Sequence, residues 1–185
     1  FGLAVAATAE DFSAGVARIK ITPPMPFQLS GYSSRTNLAT EVRNDLWAKA
    51  LALQDREGGR AVIVTTDLIG LPRELSDDVA RRAEAKHGLT RSGLLLNSAH
   101  IHSGPMVWPN LRNMFDATAG QIAPMESYSR SLSDKLLAVI GAAIADLSPA
   151  TLTVAHDSAD FAVNRREPTP TGFKLGVNPN GPTDH

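Results

Sequence analysis

Two histidines separated by one residue are the side chains in this sequence best suited to chemistry. His100 and His102 lie in the segment 97–105, which reads Asn-Ser-Ala-His-Ile-His-Ser-Gly-Pro. The apolar run Leu94–Leu96 predicts a strand, and side chains two positions apart on a strand share one face. Two imidazoles so placed can share a divalent metal, or one can bind it while the other moves a proton. At the same spacing, two histidines can equally be structural, buried with their hydrogen bonds satisfied.

The predicted elements around these histidines alternate between strands and helices. Apolar runs predict strands at Ser13–Thr22, Trp47–Gln54, Arg60–Thr66 and from Leu94 to His100, the second and third joined as a hairpin. Helical spacing of apolar residues predicts helices at Glu74–His87 and Ser127–Leu147. A last strand is predicted at Thr151–Val163, followed by a Pro- and Gly-rich stretch without a periodic pattern. Strand, helix and strand in succession predict an α/β fold, with a mixed β-sheet core covered by helices.

The amino-acid composition limits which partners the protein can bind and which residue types can serve as metal ligands. Of the 185 residues, 43% are hydrophobic, enough for a sizeable core. The 18 Lys and Arg against 19 Asp and Glu give a net charge of -1, which argues against nucleic acid as a partner. The absence of Cys excludes disulfides and thiolate metal sites.

The first nine residues have the character of a secretory signal. Residues 1–7 are apolar and mostly small, and Ala7-Thr8-Ala9 before Glu10 fits an A-x-A cleavage pattern. We interpret 1–9 as the remnant of a signal peptide, which predicts a secreted or periplasmic protein. An Ala-rich start of a cytosolic protein is the alternative.

Four segments, taken together, resemble a known family. The stretch 14–24 (Ala-Gly-Val-Ala-Arg-Ile-Lys-Ile-Thr-Pro-Pro), Leu29-Ser30-Gly31-Tyr32, 64–67 (Val-Thr-Thr-Asp) and the His-Ile-His-Ser-Gly-Pro segment occur in the order seen in the neutral/alkaline non-lysosomal ceramidases. The family often has Thr at the position of Ile101. The resemblance extends from about residue 13 to the end of the chain, so residues 10–185 are interpreted as the N-terminal part of a ceramidase-like catalytic domain that is cut short.

The resemblance implies a zinc-dependent hydrolysis of the amide bond of ceramide, giving sphingosine and a fatty acid. It implies that His100 is a Zn2+ ligand and that His102 lies beside the metal and contacts the attacking water or the substrate oxygen. Arg165 matches an active-site arginine, with pairing to a nearby carboxylate as its alternative. Gly31 and Tyr32 are predicted to form a wall of the substrate pocket, with an ordinary turn as the alternative.

The remaining zinc ligands of the family pattern, a second His and later a Glu and a Tyr, are expected beyond His185. His185 itself is not counted as a ligand. A catalytic zinc site needs three protein ligands, whereas this chain supplies one, His100, and a second histidine, His102, that only lies beside the metal. The resemblance therefore predicts a chain that is inactive alone and needs the C-terminal portion of the same enzyme as a partner. Because the implied substrate is a lipid, peripheral contact of the protein with a membrane is also compatible with the resemblance.

Further candidates for site residues each have two possible interpretations. Asp67, at a strand end, fits either an acceptor for a metal-bound imidazole or a capping or turn role. The apolar residues Met106, Trp108 and Met114 fit either a channel for a lipid tail or core packing. For the whole protein, the alternatives are another secreted metal-dependent amidase or esterase on the same scaffold, and a non-catalytic secreted binding domain.

Overall fold

The computed structural model describes residues 5–6, 12–115 and 117–183, the side chains of Val5, Ala6 and Met114 excepted. The predicted signal-peptide remnant, 1–9, thus lies outside the described residues except for positions 5–6, and His185 lies outside them entirely. The chain divides into two units. The larger spans residues 7–152, and the smaller combines residues 1–6 with 153–185 and contains the short strand β1 (Val5–Ala6).

A five-stranded mixed sheet forms the centre of the larger unit. Its strands are β2 (Phe12–Lys20), β3 (Trp47–Asp55), β4 (Arg60–Thr66), β5 (Leu94–Ser98) and β6 (Ser148–Ala150). They are ordered β5-β4-β3-β2-β6, with β4 and β5 parallel and the other neighbours antiparallel. Together with the helices, this order confirms the predicted α/β class.

The parallel pair determines where the histidine segment emerges. Strands β4 and β5 are connected through helix α1 (Arg73–His87), which ends at Gly88 in the left-handed conformation. Thr66 is the register partner of Ser98, and their hydroxyl oxygens lie 2.9 Å apart. Because the carboxyl ends of parallel strands meet at one edge of a sheet, the loops after both strands begin side by side.

Helices α1 and α2 (Ala119–Ala145) pack against one face of the sheet. Alternate strand residues such as Ala50, Val62 and Val64 point into this layer, where they are buried with Leu136 and Ile140 of α2. Removing such side chains from water is the main favourable contribution to folding, about 25 cal/mol for each Å² of apolar surface.

An ion-pair network joins the two helices at the surface. Arg82 of α1 donates hydrogen bonds to Asp78 at 3.3 Å and, across the interface, to Ser133 at 3.1 Å and Asp134 at 2.7 Å. The hydroxyl of Ser133 donates to Asp78, and this bond, with help from Arg82, holds the pKa of the Asp78 carboxyl below its usual value. The network links α1 to α2 at the rim of their buried apolar contact.

The opposite face of the sheet is open within the described residues of this unit. Val16, Leu51, Ile63 and Leu95 are register partners and form one aliphatic row across four strands. Val16 is 66% exposed and Leu95 is 56% exposed. Among the described residues of this unit, the predicted helical cover therefore lies on one face of the sheet.

The end of the chain differs from the prediction. The strand predicted at Thr151–Val163 is wrong: only β7 (Thr153–Val154) forms there, paired with β1, and residues 155–163 have no regular structure. The following stretch, in which we expected no pattern, forms the antiparallel hairpin β8 (Asn164–Thr169) and β9 (Gly172–Asn178). Polar side chains and Pro168 conceal β8, which reads Asn-Arg-Arg-Glu-Pro-Thr. In β9, the alternation of Phe173, Leu175 and Val177 is a strand pattern that the sequence analysis missed.

Candidate metal centre

His100 follows the end of β5 and is oriented by a backbone carbonyl. Its Nδ1 lies 2.9 Å from the carbonyl oxygen of Ile69, in the loop after β4. Because a carbonyl oxygen only accepts hydrogen bonds, Nδ1 carries the proton in this contact. In the neutral ring with this tautomer, Nε2 of His100 carries the lone pair, and the side chain is exposed. This tautomer and orientation are those of a metal-binding imidazole.

The rings of His100 and His102 lie against each other. Their centroids are 5.0 Å apart and their planes meet at 69°, an edge-to-face arrangement. The expectation that strand alternation produces this closeness is wrong, since β5 ends at Ser98 and His100 has a φ of 57°. A left-handed residue breaks the extended repeat. The turn that follows brings His102 back beside His100, so a tight turn, and not a strand edge, pairs the two imidazoles.

The loop between β2 and β3 supplies the other wall of the site. Its residues pair with the histidine turn: Leu29 forms a bridge with Pro105, and the backbone N–H of Ser30 donates to the carbonyl of Gly104 at 3.0 Å. Further along the turn, the N–H of Met106 donates to the carbonyl of Gln28 at 2.9 Å. These bonds fix the loop against the segment that carries His102.

Gly31 and Tyr32 contact His102 directly. Gly31 has a φ of 108°, and a Cβ at this position would lie 2.7 Å from both Cα and Cβ of His102. A glycine is therefore required on both conformational and steric grounds. The ring of Tyr32 stands edge-on to that of His102, with the centroids 4.9 Å apart, and Tyr32 is 53% exposed. The structure thus brings Gly31, Tyr32, His100 and His102 into one cluster.

Arg35 is a member of this cluster that sequence reasoning missed. Its Nη1 donates hydrogen bonds to two backbone carbonyls, that of Ser30 at 2.8 Å and that of His102 at 2.9 Å. Its guanidinium also lies over the ring of Tyr32, 5.1 Å from the centroid. One side chain therefore links both halves of the site. The polar run Ser33-Ser34-Arg35 carries no signal of this role, because the contacts depend on the fold of the loop.

Asp67 does not orient His100. Its carboxylate accepts a hydrogen bond from the backbone N–H of Trp47 at 2.9 Å, and so ties the end of β4 to the start of β3. The carbonyl of Ile69 occupies the position of acceptor for His100. Asp67 thus has a structural role, in a bond between two strands and not in the cap or turn that was offered as the alternative.

The lipid-channel interpretation of residues 106–114 is also corrected. Met106 is fully buried and the partly buried Trp108 packs against the core, so both side chains take part in core packing. The side chain of Met114 lies outside the described residues.

Arg165 lies in the smaller unit. It is on β8, where its Nε donates to the carbonyl of Gly176 across the hairpin at 3.1 Å. The remaining guanidinium nitrogens can still meet a ligand. Its catalytic role stays a prediction.

Few side chains near the two histidines could serve as further metal ligands. Within residues 5–6, 12–115 and 117–183, no three His, Asp or Glu side chains come together in a way that could hold a metal ion. The two imidazoles nevertheless fit zinc by their chemistry, since His100 presents a free Nε2 and His102 lies in ring contact with it. In the described part of the chain, neither helix combines the length and the apolar character that crossing a bilayer demands.

Comparison with known proteins identifies the family. The model of the N-terminal part of neutral/alkaline non-lysosomal ceramidases matches residues 12–172. The chain belongs to this family. This ceramidase-family chain is 25% identical over 97 residues to the neutral ceramidase of Drosophila melanogaster, and 26% identical over 97 residues to that of Drosophila pseudoobscura pseudoobscura. Each match covers 51% of the chain and 14% of the relative's length.

Solved structures show the same fold. A crystal structure of neutral ceramidase from Pseudomonas aeruginosa superposes with a TM-score of 0.62 at 24% identity, covering 75% of this chain and 22% of that one. A structure of a ceramidase complexed with C2 gives a TM-score of 0.61 at the same identity and coverage. The ceramidase-family chain thus shares the mixed sheet and helices of these enzymes over about a fifth of their length.

Proposed function

We propose that this chain forms one wall of the active site of a zinc-dependent ceramidase, which hydrolyses the amide bond of N-acylsphingosine. The observation that carries the proposal is the pair of touching imidazoles, in which His100 presents a free Nε2 at the carboxyl edge of the sheet. Membership of the ceramidase family supports the substrate class. The overall reaction adds water to the carbonyl carbon and breaks the C–N bond, which releases a fatty acid and an amine.

His100 is the proposed ligand of the metal. Its Nδ1–H bond to Ile69 fixes the ring and directs Nε2 outward, so the coordinating atom is in place before a metal binds. When bound, zinc would supply a Lewis acid for the carbonyl oxygen and a hydroxide near neutral pH. A catalytic site needs three protein ligands. We therefore propose that residues outside the described ranges complete the set, and that the chain by itself is inactive.

His102 is the proposed partner of the substrate oxygen. Its ring is held between those of His100 and Tyr32, with centroid distances of 5.0 and 4.9 Å. A hydrogen bond donated by the His102 ring to the amide oxygen becomes stronger as negative charge develops on that oxygen. Such a hydrogen bond contributes about 3 kcal/mol to transition-state stabilisation in hydrolases. The half-exposed Tyr32 offers a phenol for a further hydrogen bond to substrate. For Arg165, in the smaller unit, a catalytic role remains a prediction that rests on the family resemblance alone.

The test uses the full-length protein that contains this chain. Zinc content is measured by metal analysis, and hydrolysis is followed with a fluorescent N-acylsphingosine. We expect His100→Ala to lower the rate of hydrolysis by at least about 100-fold and to deplete the purified protein of zinc, since even the loss of a partner of a metal ligand costs 10- to 100-fold in metal affinity or activity. His156→Ala is the matched control, because His156 is exposed in the irregular segment 155–163, and it should leave both unchanged.

A His100→Ala protein that keeps its zinc and its activity would contradict the proposal. The same assay, run on a panel of simple amides and esters, separates the ceramidase from another hydrolase on this scaffold. Turnover of esters alone would favour the latter. Secretion stays a prediction from the Ala7-Thr8-Ala9 pattern.

A further inference from the structure

A cavity of about 260 Å³ opens beside Arg35, the side chain that links the β2–β3 loop to the histidine turn. Its walls come from that loop, from the chain after the histidine turn, and from the first turn of α2. Met106, Phe115 and Ala117 form its apolar side, and the other described residues of the lining are polar. Pockets for whole small molecules measure about 300–1,000 Å³, so this cavity has the size for one chemical group of a larger ligand.

The polar lining offers hydrogen-bond donors that have no partner in the described part of the chain. Arg35 uses Nη1 for two backbone carbonyls, which leaves its Nε and Nη2 hydrogens available. The hydroxyls of Ser33 and Thr36 make no hydrogen bond to a described residue. In Gln121, Oε1 accepts from Thr118, and the Nε2 hydrogens remain as donors. A ligand group in this cavity therefore meets donors from three side-chain types.

The charge of the lining favours an anion. Among the described residues, Arg35 is the one cation of the lining, and no Asp or Glu contributes to it. Gln121 lies in the first turn of α2, and the N-terminal end of a helix carries a partial positive charge. A guanidinium beside hydroxyl and amide donors is a set that binds the oxygens of phosphates and carboxylates.

The cavity lies within reach of the candidate metal centre. The Arg35 guanidinium carbon is 5.1 Å from the centroid of the Tyr32 ring, and that centroid is 4.9 Å from the centroid of the His102 ring, so the guanidinium lies within about 10 Å of His102. A substrate whose amide lies at His102 can therefore place a charged group, a few bonds from its amide nitrogen, at Arg35.

We propose that this cavity binds an oxyanion on the head group of the substrate, so that the enzyme prefers N-acyl amines that carry a phosphate or carboxylate near the amide. The inference rests on the proposed function, since it assumes that the reacting amide lies at His100 and His102. A hydrocarbon chain would leave the donors of the cavity without partners, and an uncharged hydroxyl would leave the Arg35 charge unpaired. A free phosphate ion has the same chemistry as a head-group phosphate, and kinetics distinguish these two sources.

The first experiment places a negative charge in the cavity of the full-length protein. Gln121→Glu keeps an oxygen for the hydrogen bonds from Thr118 but replaces the Nε2 donor by a carboxylate oxygen. The start of α2 should persist, because a capping box accepts Glu as well as Gln. Asn113→Asp is the matched control, since it adds the same charge at an exposed position outside the lining.

The readout is a ratio of two kcat/KM values, that for N-acylsphingosine phosphorylated on its head-group hydroxyl over that for unmodified N-acylsphingosine. We expect a wild-type ratio above about 10, because hydrogen bonds between charged groups are stronger than neutral ones. Gln121→Glu should lower the ratio at least about tenfold by repulsion, and Asn113→Asp should keep the wild-type ratio. Arg35→Met should also lower the ratio, whereas Arg35→Lys, which keeps the positive charge, should retain most of it.

The outcomes separate the head-group proposal from the ceramidase proposal. A wild-type ratio of one or less, or equal ratios in Gln121→Glu and Asn113→Asp, would overturn the head-group proposal, while hydrolysis of N-acylsphingosine would leave the ceramidase proposal standing. A ratio of one combined with an effect of inorganic phosphate on N-acylsphingosine turnover, abolished in Gln121→Glu, would assign the cavity to a free ion and equally overturn the head-group proposal.

If the wild type hydrolyses neither lipid, the ceramidase proposal fails. The cavity is then judged by the binding of inorganic phosphate to the full-length protein, measured by titration calorimetry. Binding at least tenfold weaker in Gln121→Glu than in Asn113→Asp would support an oxyanion site. Equal binding in the two variants would overturn it.

Discussion

Replacing Gly31 by alanine should misplace His102 while leaving the fold in place. The added Cβ would lie 2.7 Å from Cα and Cβ of His102, whereas ordinary contacts of this kind begin at 3.4 Å, so the two segments must separate by about 0.7 Å. A displacement of about 1 Å at a catalytic group costs about 100-fold in rate. We therefore expect kcat/KM for N-acylsphingosine to fall between about 10- and 100-fold.

The same substitution also strains the backbone, and a second glycine isolates that effect. Gly31 has a φ of 108°, and a side chain in such a region costs about 1–3 kcal/mol of stability. Gly58, in the β3–β4 turn, has a φ of 88° with nothing within 4 Å of a built Cβ. Gly58→Ala thus carries backbone strain without a collision, and should lower the free energy of unfolding but not kcat/KM.

The assay pairs steady-state kinetics with thermal unfolding of both variants in the full-length protein. If Gly31→Ala and Gly58→Ala lose similar stability and both keep wild-type kcat/KM, the close approach of Gly31 to His102 has no catalytic meaning. That result would refute the reasoning that places residues 29–32 in the active site.

Two further predictions concern groups that touch the site or the helix layer. Arg35→Met, which removes the bonds to the carbonyls of Ser30 and His102, should lower kcat more than 10-fold, and Arg35→Lys should restore part of it, as measured by steady-state kinetics. Burial lowers the pKa of His87, with Lys86 and Arg60 adding to the effect, so protonation opposes folding. Stability should therefore fall as pH drops below about 6.5, and less steeply in His87→Leu, as followed by thermal unfolding.

A specific result would contradict each of these two predictions. For Arg35, an unchanged kcat with only a lower melting temperature would mean that the side chain stabilises the loop without positioning His102. For His87, the structure shows Nε2 buried with no hydrogen-bond partner in the described part of the chain, against Gly141 of α2. Equal pH slopes in wild type and His87→Leu would show that this imidazole is not desolvated. The exposed His156→Leu serves as control.

Local periodicity was sufficient to predict the elements of the central layer. The β-branched run of β4 and the apolar spacing of α1, ended by Gly88, are patterns that local physics determines, and both formed as expected. The first turns of α2 were missed because Pro124 lies among them. The helix starts at Ala119, where the side chain of Gln121 accepts from the backbone N–H and hydroxyl of Thr118. When only the sequence is read, a proline argues against a helix at that position. A capped N-terminus can nevertheless accommodate a proline in the first turns.

The cluster of Gly31, Tyr32, His100 and His102 was anticipated by residue type, but its geometry was not. The His-x-His spacing indicated two side chains that the structure brings together, yet alternation along a strand was the wrong reason, because His100 adopts a left-handed conformation. That conformation is stabilised by non-local contacts such as the bond from Nδ1 of His100 to Ile69, 31 residues away. Arg35 and the carbonyl of Ile69 became visible only once the loops were paired. Such partners depend on tertiary packing, which no local pattern encodes.

The most direct test of the account is the position of the metal in the full-length protein. A crystal structure with anomalous data at the zinc edge should show an ion about 2.0–2.1 Å from Nε2 of His100, with Nδ1 still bonded to the carbonyl of Ile69. A zinc ion bound elsewhere, or an ion on Nδ1 with the Ile69 contact broken, would contradict the central claim that this histidine turn is the metal-binding wall of the enzyme.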